Sequence, residues 1–144
     1  MNRRRGFRVI GFALVALFAS RVSYASCYVF EIDRAFRDAK AVFVGRVVST
    51  KLIRVGREST DVSTVATLSV ERRWKGPRTK TLDVRTCGGG DAVCTVGIEF
   101  MPGDRYIVFA YGRLFETSVC DTRLVEDAGK EMLWLERKPS RPAG

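Results

Sequence analysis

The stretch VSTVATLSVERRW, residues 62–74, constrains this chain more than any other. Val62, Thr64, Ala66, Leu68, Val70, Arg72 and Trp74 fall on one parity. Successive strand side chains point to opposite faces, so the pattern predicts one long, half-buried β-strand. Lys75-Gly76-Pro77 closes it with turn chemistry. The segment before it, AVFVGRVVSTKLIRV from residue 41, is dense in Val and Phe and reads as another strand. Gly45 inside that run predicts a bulge or a sharp bend. The polar residues RVGRESTD between the two runs read as a loop.

Further along, TLDVRTC (81–87) predicts a third strand, with Leu82, Val84 and Thr86 on one face. The glycines of CGGGDAVC need a loop, which Cys87 and Cys94 bracket. FMPG (100–103) reads as a turn. DRYIVFAYG and RLFETSVC predict two more strands, joined tightly around Tyr111-Gly112-Arg113. Helical periodicity appears at both ends. Ile32, Ala35, Phe36 and Ala39 form one apolar face, with acids early and bases late as the helix dipole favours. Val125, Ala128, Met132 and Leu135 mark a C-terminal helix, and KPSRPAG after it is expected to fray. Helix, five short antiparallel strands and helix predict a mainly β fold: a five-stranded, closed or partly closed OB-type β-barrel with flanking N- and C-terminal helices. No internal repeat or second domain is visible.

The N-terminus reads as a signal peptide over residues 1–25. A basic start, MNRRRGFR, precedes a short apolar run from Val9 to Phe18, and Ser23 and Ala25 supply small residues for cleavage. The run is short for a membrane span, and Arg21 interrupts it early. Acylation of Cys27 is disfavoured by Tyr24 at the position where Leu is usual, so a membrane tether is not expected. The expected location is exported, periplasmic or extracellular. Removing five arginines leaves twenty basic and sixteen acidic residues, a net of +4. The richest basic run, Arg72-Arg73-Trp74-Lys75 with Arg78 and Lys80, reads as a solvated rim, and no nucleic-acid partner is expected.

About 120 residues remain, enough for one domain with a real core. That domain is expected over 26–137, with 138–144 a disordered tail. Four cysteines remain as well: Cys27, Cys87, Cys94 and Cys120. In a small exported chain they predict two disulfides, with three connectivities open. Their spacing lacks the close pairs of zinc sites, so no metal is expected. The sequence contains no histidine, which removes the usual nucleophile–base pairs. No carboxylate pair can be placed across a cleft, and the glycines at 88–90 lack nucleotide-loop spacing. The chain reads as a binding domain, not an enzyme, with no catalytic residue and no cofactor.

AFRDAKAVFVGRVVS, VERRWKG, GGGDAVCTVGIEFMPGDRYIVFA and LFETSVC occur here in an order that resembles the netrin-like module of tissue inhibitors of metalloproteinases and their bacterial relatives. The likeness spans nearly the whole mature chain. It implies an OB-type barrel with disulfides tying the N-terminus to it. In the animal inhibitors a terminal Cys-x-Cys presents an α-amine and a carbonyl that chelate the protease's zinc. This chain has Ser26-Cys27-Tyr28, one cysteine instead of two. The resemblance therefore implies Cys27–Cys120 and Cys87–Cys94 pairing, with Cys27–Cys94 and Cys87–Cys120 as the other arrangement. It makes Ser26 and Cys27 the candidate zinc-chelating terminus and a metalloprotease the candidate protein partner. The alternative is an envelope module that binds a glycan, peptide or protein on its barrel face, with Trp74, Tyr106 and Tyr111 as candidate binding aromatics.

Overall fold

The structure is a computed structural model. Residues 30–54, 62–87 and 97–142 are described, and of Cys87, Arg141 and Pro142 the backbone alone. The elements run α1 (Ile32–Asp38), β1 (Ala41–Arg54), β2 (Val62–Lys75), β3 (Thr81–Cys87), β4 (Arg105–Ala110) and β5 (Thr122–Leu124). A 3-10 turn (Val125–Asp127), α2 (Gly129–Leu135) and β6 (Arg141–Pro142) complete the chain. The strands form one antiparallel sheet in the order β3-β2-β1-β4-β5, with β6 added to β2. The sheet is open, because no ladder joins β3 to β5.

Each face of this sheet carries its own core. Phe43, Val47, Leu68, Val84, Tyr106 and Val108 pack together on one face, and no helical residue joins them. Val42, Val44, Ile107 and Phe109 point the other way, under Ala35 of α1 and Ala39 at its end and under Ala128 and Leu135 at α2. Strand alternation explains the division, since β1 and β4 are apolar at both parities where they cross. The amphipathic faces read from the sequence do the covering: Ile32 and Phe36 pack beside Ala35, and Val125 and Met132 beside Leu135. Val125 sits in the 3-10 turn and not in α2 itself.

Gly45 lies at a register shift, as its place in the run predicts. The pairing steps from Val44↔Arg72 to Gly45↔Val70, so Glu71 is an extra residue on β2. A second shift skips Trp74, between Phe43↔Arg73 and Val42↔Lys75. One extra residue turns every later side chain to the opposite face. Arg72 and Trp74 therefore do not share the face of Leu68 and Val70. Trp74 packs with the helices, against the second core.

Two other regions differ from expectation. The fifth strand is not at 113–120. Residues 112–115 form a turn, Glu116 makes isolated bridges to Arg85 and Tyr111, and β5 lies at Thr122–Leu124. Phe115 has a left-handed backbone (φ 50°), which interrupts an extended run. Beyond it, the Thr117 hydroxyl turns inward to the Phe109 carbonyl at 2.9 Å. At the C-terminus, residues 141–142 fall in the stretch expected to fray, yet they pair with Arg72 and Arg73. Ser140 Oγ accepts a hydrogen bond from Arg72 Nε at 3.1 Å.

The turn after β2 depends on Gly76, which has φ 111° and would place a Cβ 2.8 Å from that of Ala41. Gly76→Ala should lower unfolding free energy by about 2 kcal/mol in a urea titration. Gly129→Ala, which meets nothing within 4 Å at the start of α2, should leave stability unchanged or raise it by about 0.5 kcal/mol.

Candidate functional site

Phe30 is a fixed point of the structure. The Phe30 ring meets Phe109 edge-on, with centroids 5.4 Å apart and planes at 75°. The Arg123 guanidinium lies 5.6 Å from the Phe30 ring centroid, and its Nε is 3.2 Å from Glu131 Oε1 of α2. Phe30 is thus held by β4 and β5, with Glu131 of α2 paired to the arginine beside it, just before α1 starts.

Beside it a groove of about 480 Å³ opens between α1 and the turn preceding β5. Phe30, Glu31, Arg34 and Asp38 line one side. Tyr111, Cys120 and Asp121 line the other. The far wall is locked by its own hydrogen bonds. Tyr111 OH donates to Asp121 Oδ1 at 3.1 Å, and Ser118 Oγ donates to Asp121 Oδ2 at 2.6 Å. Cys120 N–H donates to Ser118 Oγ at 3.2 Å, while Phe109 N–H donates to the Asp121 carbonyl at 3.0 Å. Burial raises the Tyr111 phenol pKa well above its ordinary value, and the Asp121 and Asp38 carboxylates push it further the same way. Its hydroxyl stays protonated and donating throughout the neutral range.

Among the described residues the groove contains Glu31, Asp38 and Asp121 against the single cation Arg34. Arg34 and Asp38 form an exposed i,i+4 pair at 3.7 Å, a contact of little energetic weight. Cys120 is disulfide-bonded, so it offers no thiolate. The groove is suited to holding a positively charged or hydrogen-bonding segment, and it contains no nucleophile–base pair among the described residues.

The candidate residues from the sequence fall in different places. Ser26, Cys27 and Cys94 lie outside the described residues, as does the Cys87 side chain. The three candidate aromatics do not share a surface. Tyr106 is only 4% exposed and belongs to the first core. There its hydroxyl accepts the Met101 N–H at 3.3 Å, and its ring packs on Phe100. Trp74 and Tyr111 are half-buried against the second core, and of the three only Tyr111 reaches the groove.

The basic run is no uniform solvated rim. Arg73 is 5% exposed, and Lys75 Nζ donates to the Phe36 and Arg37 carbonyls at 3.0 and 2.8 Å, at the end of α1. Glu31, Arg34 and Asp38 were legible only as the polar side of an amphipathic helix. Asp121 gave no signal, because its role comes from a turn that the sequence reads as the end of a strand. Among the described residues no group of three or more acidic or cysteine side chains is arranged to hold a metal ion. No protein-family model and no curated protein sequence matches this chain.

Tyr111→Phe should cost about 1 kcal/mol at neutral pH, since Asp121 loses one donor and keeps Ser118. The raised pKa means that the folded state holds the phenolic proton more tightly than the unfolded state does. That stabilisation is complete below about pH 10 and is lost as pH climbs past it. Urea titrations from pH 8 to 11 should therefore give a shallower alkaline decline for Tyr111→Phe than for the wild type.

Proposed function

We propose that this chain is an exported, non-enzymatic binding domain that presents its mature N-terminus, Ser26-Cys27, beside the α1 groove, in the manner of a metalloprotease inhibitor. The observation that carries this reading is that Phe30 and disulfide-bonded Cys120 line the same groove. Cys27 precedes Phe30 by three residues, a reach of roughly 10 Å. A Cys27–Cys120 bond fits that reach, and Cys87–Cys94 is the companion pairing. The terminus would then be fixed at Cys27 by the bond and at Phe30 by Phe109. A protruding segment held in place before contact loses less conformational freedom on binding. Ser26 would supply the amine nitrogen and carbonyl oxygen to a protease's zinc, both competent ligands.

The fold assignment that accompanies this reading is an OB-type barrel of the netrin-like kind. Two observations support it. Val84 of β3 packs in one cluster with Tyr106 and Val108 of β4, although the two strands are not neighbours and no helix covers that face. Across the gap, Arg85 N–H donates to the Phe115 carbonyl at 3.1 Å and Thr117 N–H to the Arg85 carbonyl at 2.9 Å, in parallel sense. A curled sheet whose open side is bridged by 115–117 accounts for both.

The test begins with intact mass, N-terminal sequencing and a non-reduced peptide map of the exported protein. A chain starting at Ser26 with a Cys27–Cys120 bond is expected. That species should inhibit at least one zinc endopeptidase in a panel, and a single alanine added before Ser26 should reduce inhibition at least about tenfold by blocking chelation. A retained leader, a lipid on Cys27, or inhibition indifferent to the added alanine would sink the proposal.

A further inference from the structure

We propose that a second pocket, between the turn after β2 and the segment after α2, is a binding site for a phosphoryl oxyanion. It encloses about 300 Å³ and shares no lining residue with the α1 groove. Arg73, Lys75, Arg78 and Lys138 line it together with Phe36 and Trp74, and no carboxylate does among the described residues. None of these four cations takes part in an ion pair among the described residues. The pairs that do form use Arg34, Arg46, Arg105 and Arg123.

Arg73 makes the pocket unusual. Its side chain is almost fully buried, at 5% exposure, and Nη1 donates to the Pro77 carbonyl at 3.1 Å. A buried guanidinium normally faces a carboxylate, because removing an uncompensated charge from water is costly. Here its hydrogen-bond partner is a neutral carbonyl, and the residue lines a cavity together with three further cations. Trp74 adds an unmet donor: its indole Nε1–H is shut from solvent and has no acceptor among the described residues. Lys75 already gives two hydrogen bonds to the end of α1 and has a third N–H left. Arg78 and Lys138 are exposed at the mouth.

A small, doubly charged group with several acceptor oxygens answers all of these features at once. Phosphoryl oxygens take charge-assisted hydrogen bonds from guanidinium and ammonium groups, and a planar guanidinium can contact two of them. The cavity is too small for a partner's helix, whose diameter is about 10 Å with its side chains. The C-terminal segment is part of this site. Lys138 lies 4.5 Å from the Trp134 ring centroid, and Ser140 is tied to Arg72, which holds Lys138 and Pro139 at the pocket. The phosphoryl group can come from a soluble phosphate or from a lipid headgroup, and the two sources are separable.

The test follows the two indole N–H resonances of the full exported chain by two-dimensional NMR during titration with inorganic phosphate, at ionic strength matched with chloride. A parallel arm measures co-sedimentation with phosphatidylcholine vesicles containing phosphatidic acid. A saturable shift of the Trp74 resonance is expected. The double variant Arg78→Gln/Lys138→Gln, altered only at exposed positions, should weaken binding at least about tenfold. Lys51→Gln/Lys130→Gln, with the same charge change elsewhere, should bind as the wild type does. Saturable vesicle binding lost only in the first variant, without a response to free phosphate, also supports the site and identifies a headgroup as the source. No saturable response in either arm, or equal weakening in both variants, would overturn it.

Discussion

The first half of β1 is the constraint on which the rest depends. Between Ala41 and Arg46 it is paired with β2 on one side and β4 on the other. Its side chains there feed both cores, with Phe43 on one face and Val42 and Val44 on the other. A strand in that position has no free edge and no free face. It changes direction only where backbone lies very close to its neighbours, and Gly45 meets that need. A Cβ there would fall 3.0 Å from the Phe43 ring, 3.1 Å from Leu68 Cβ and 3.1 Å from the Ser69 carbonyl oxygen. Beyond Arg46 the strand has no pairing with β4, and Val48 and Leu52 stand exposed along the part of it that pairs with β2 alone.

Around this centre α1, α2 and the segments that flank them gather on one side of the sheet. Phe30 enters over Phe109, α1 and α2 cover Val42, Val44 and Ile107, and Arg141–Pro142 returns along β2. Both candidate sites lie on this helical side. The α1 groove is predominantly acidic, and the pocket beside Trp74 is cationic throughout. On the other face Phe43, Leu68, Phe100 and Tyr106 pack into the first core.

What the sequence disclosed followed from periodicity over many residues. The first three strands, the apolar faces of both helices and the bend at Gly45 could all be read in this way. The misreadings come from single-residue events. One extra residue at Glu71 reverses the face of Trp74, and no pattern in VERRWKG marks it. One left-handed residue, Phe115, ends what reads as a strand. The α1 groove was illegible because Asp121, Tyr111 and Glu31 meet through tertiary packing alone. The cationic pocket was half legible. The run of bases from Arg72 was visible, but the burial of Arg73 depends on shifts in register that leave no trace in composition.

The placement of the aromatic residues gives the two layers separate optical signatures. The chain has two tryptophans, and Trp74 and Trp134 both pack in the helical layer, whereas the opposite core holds Tyr106 and phenylalanines. Tryptophan emission therefore reports the docking of α1, α2 and the C-terminal segment, while far-ultraviolet dichroism is dominated by the sheet. If the helical layer lifts away before the strands separate, the two signals will part company on heating. The molecule thus carries an internal reporter of whether its layers unfold as one cooperative unit.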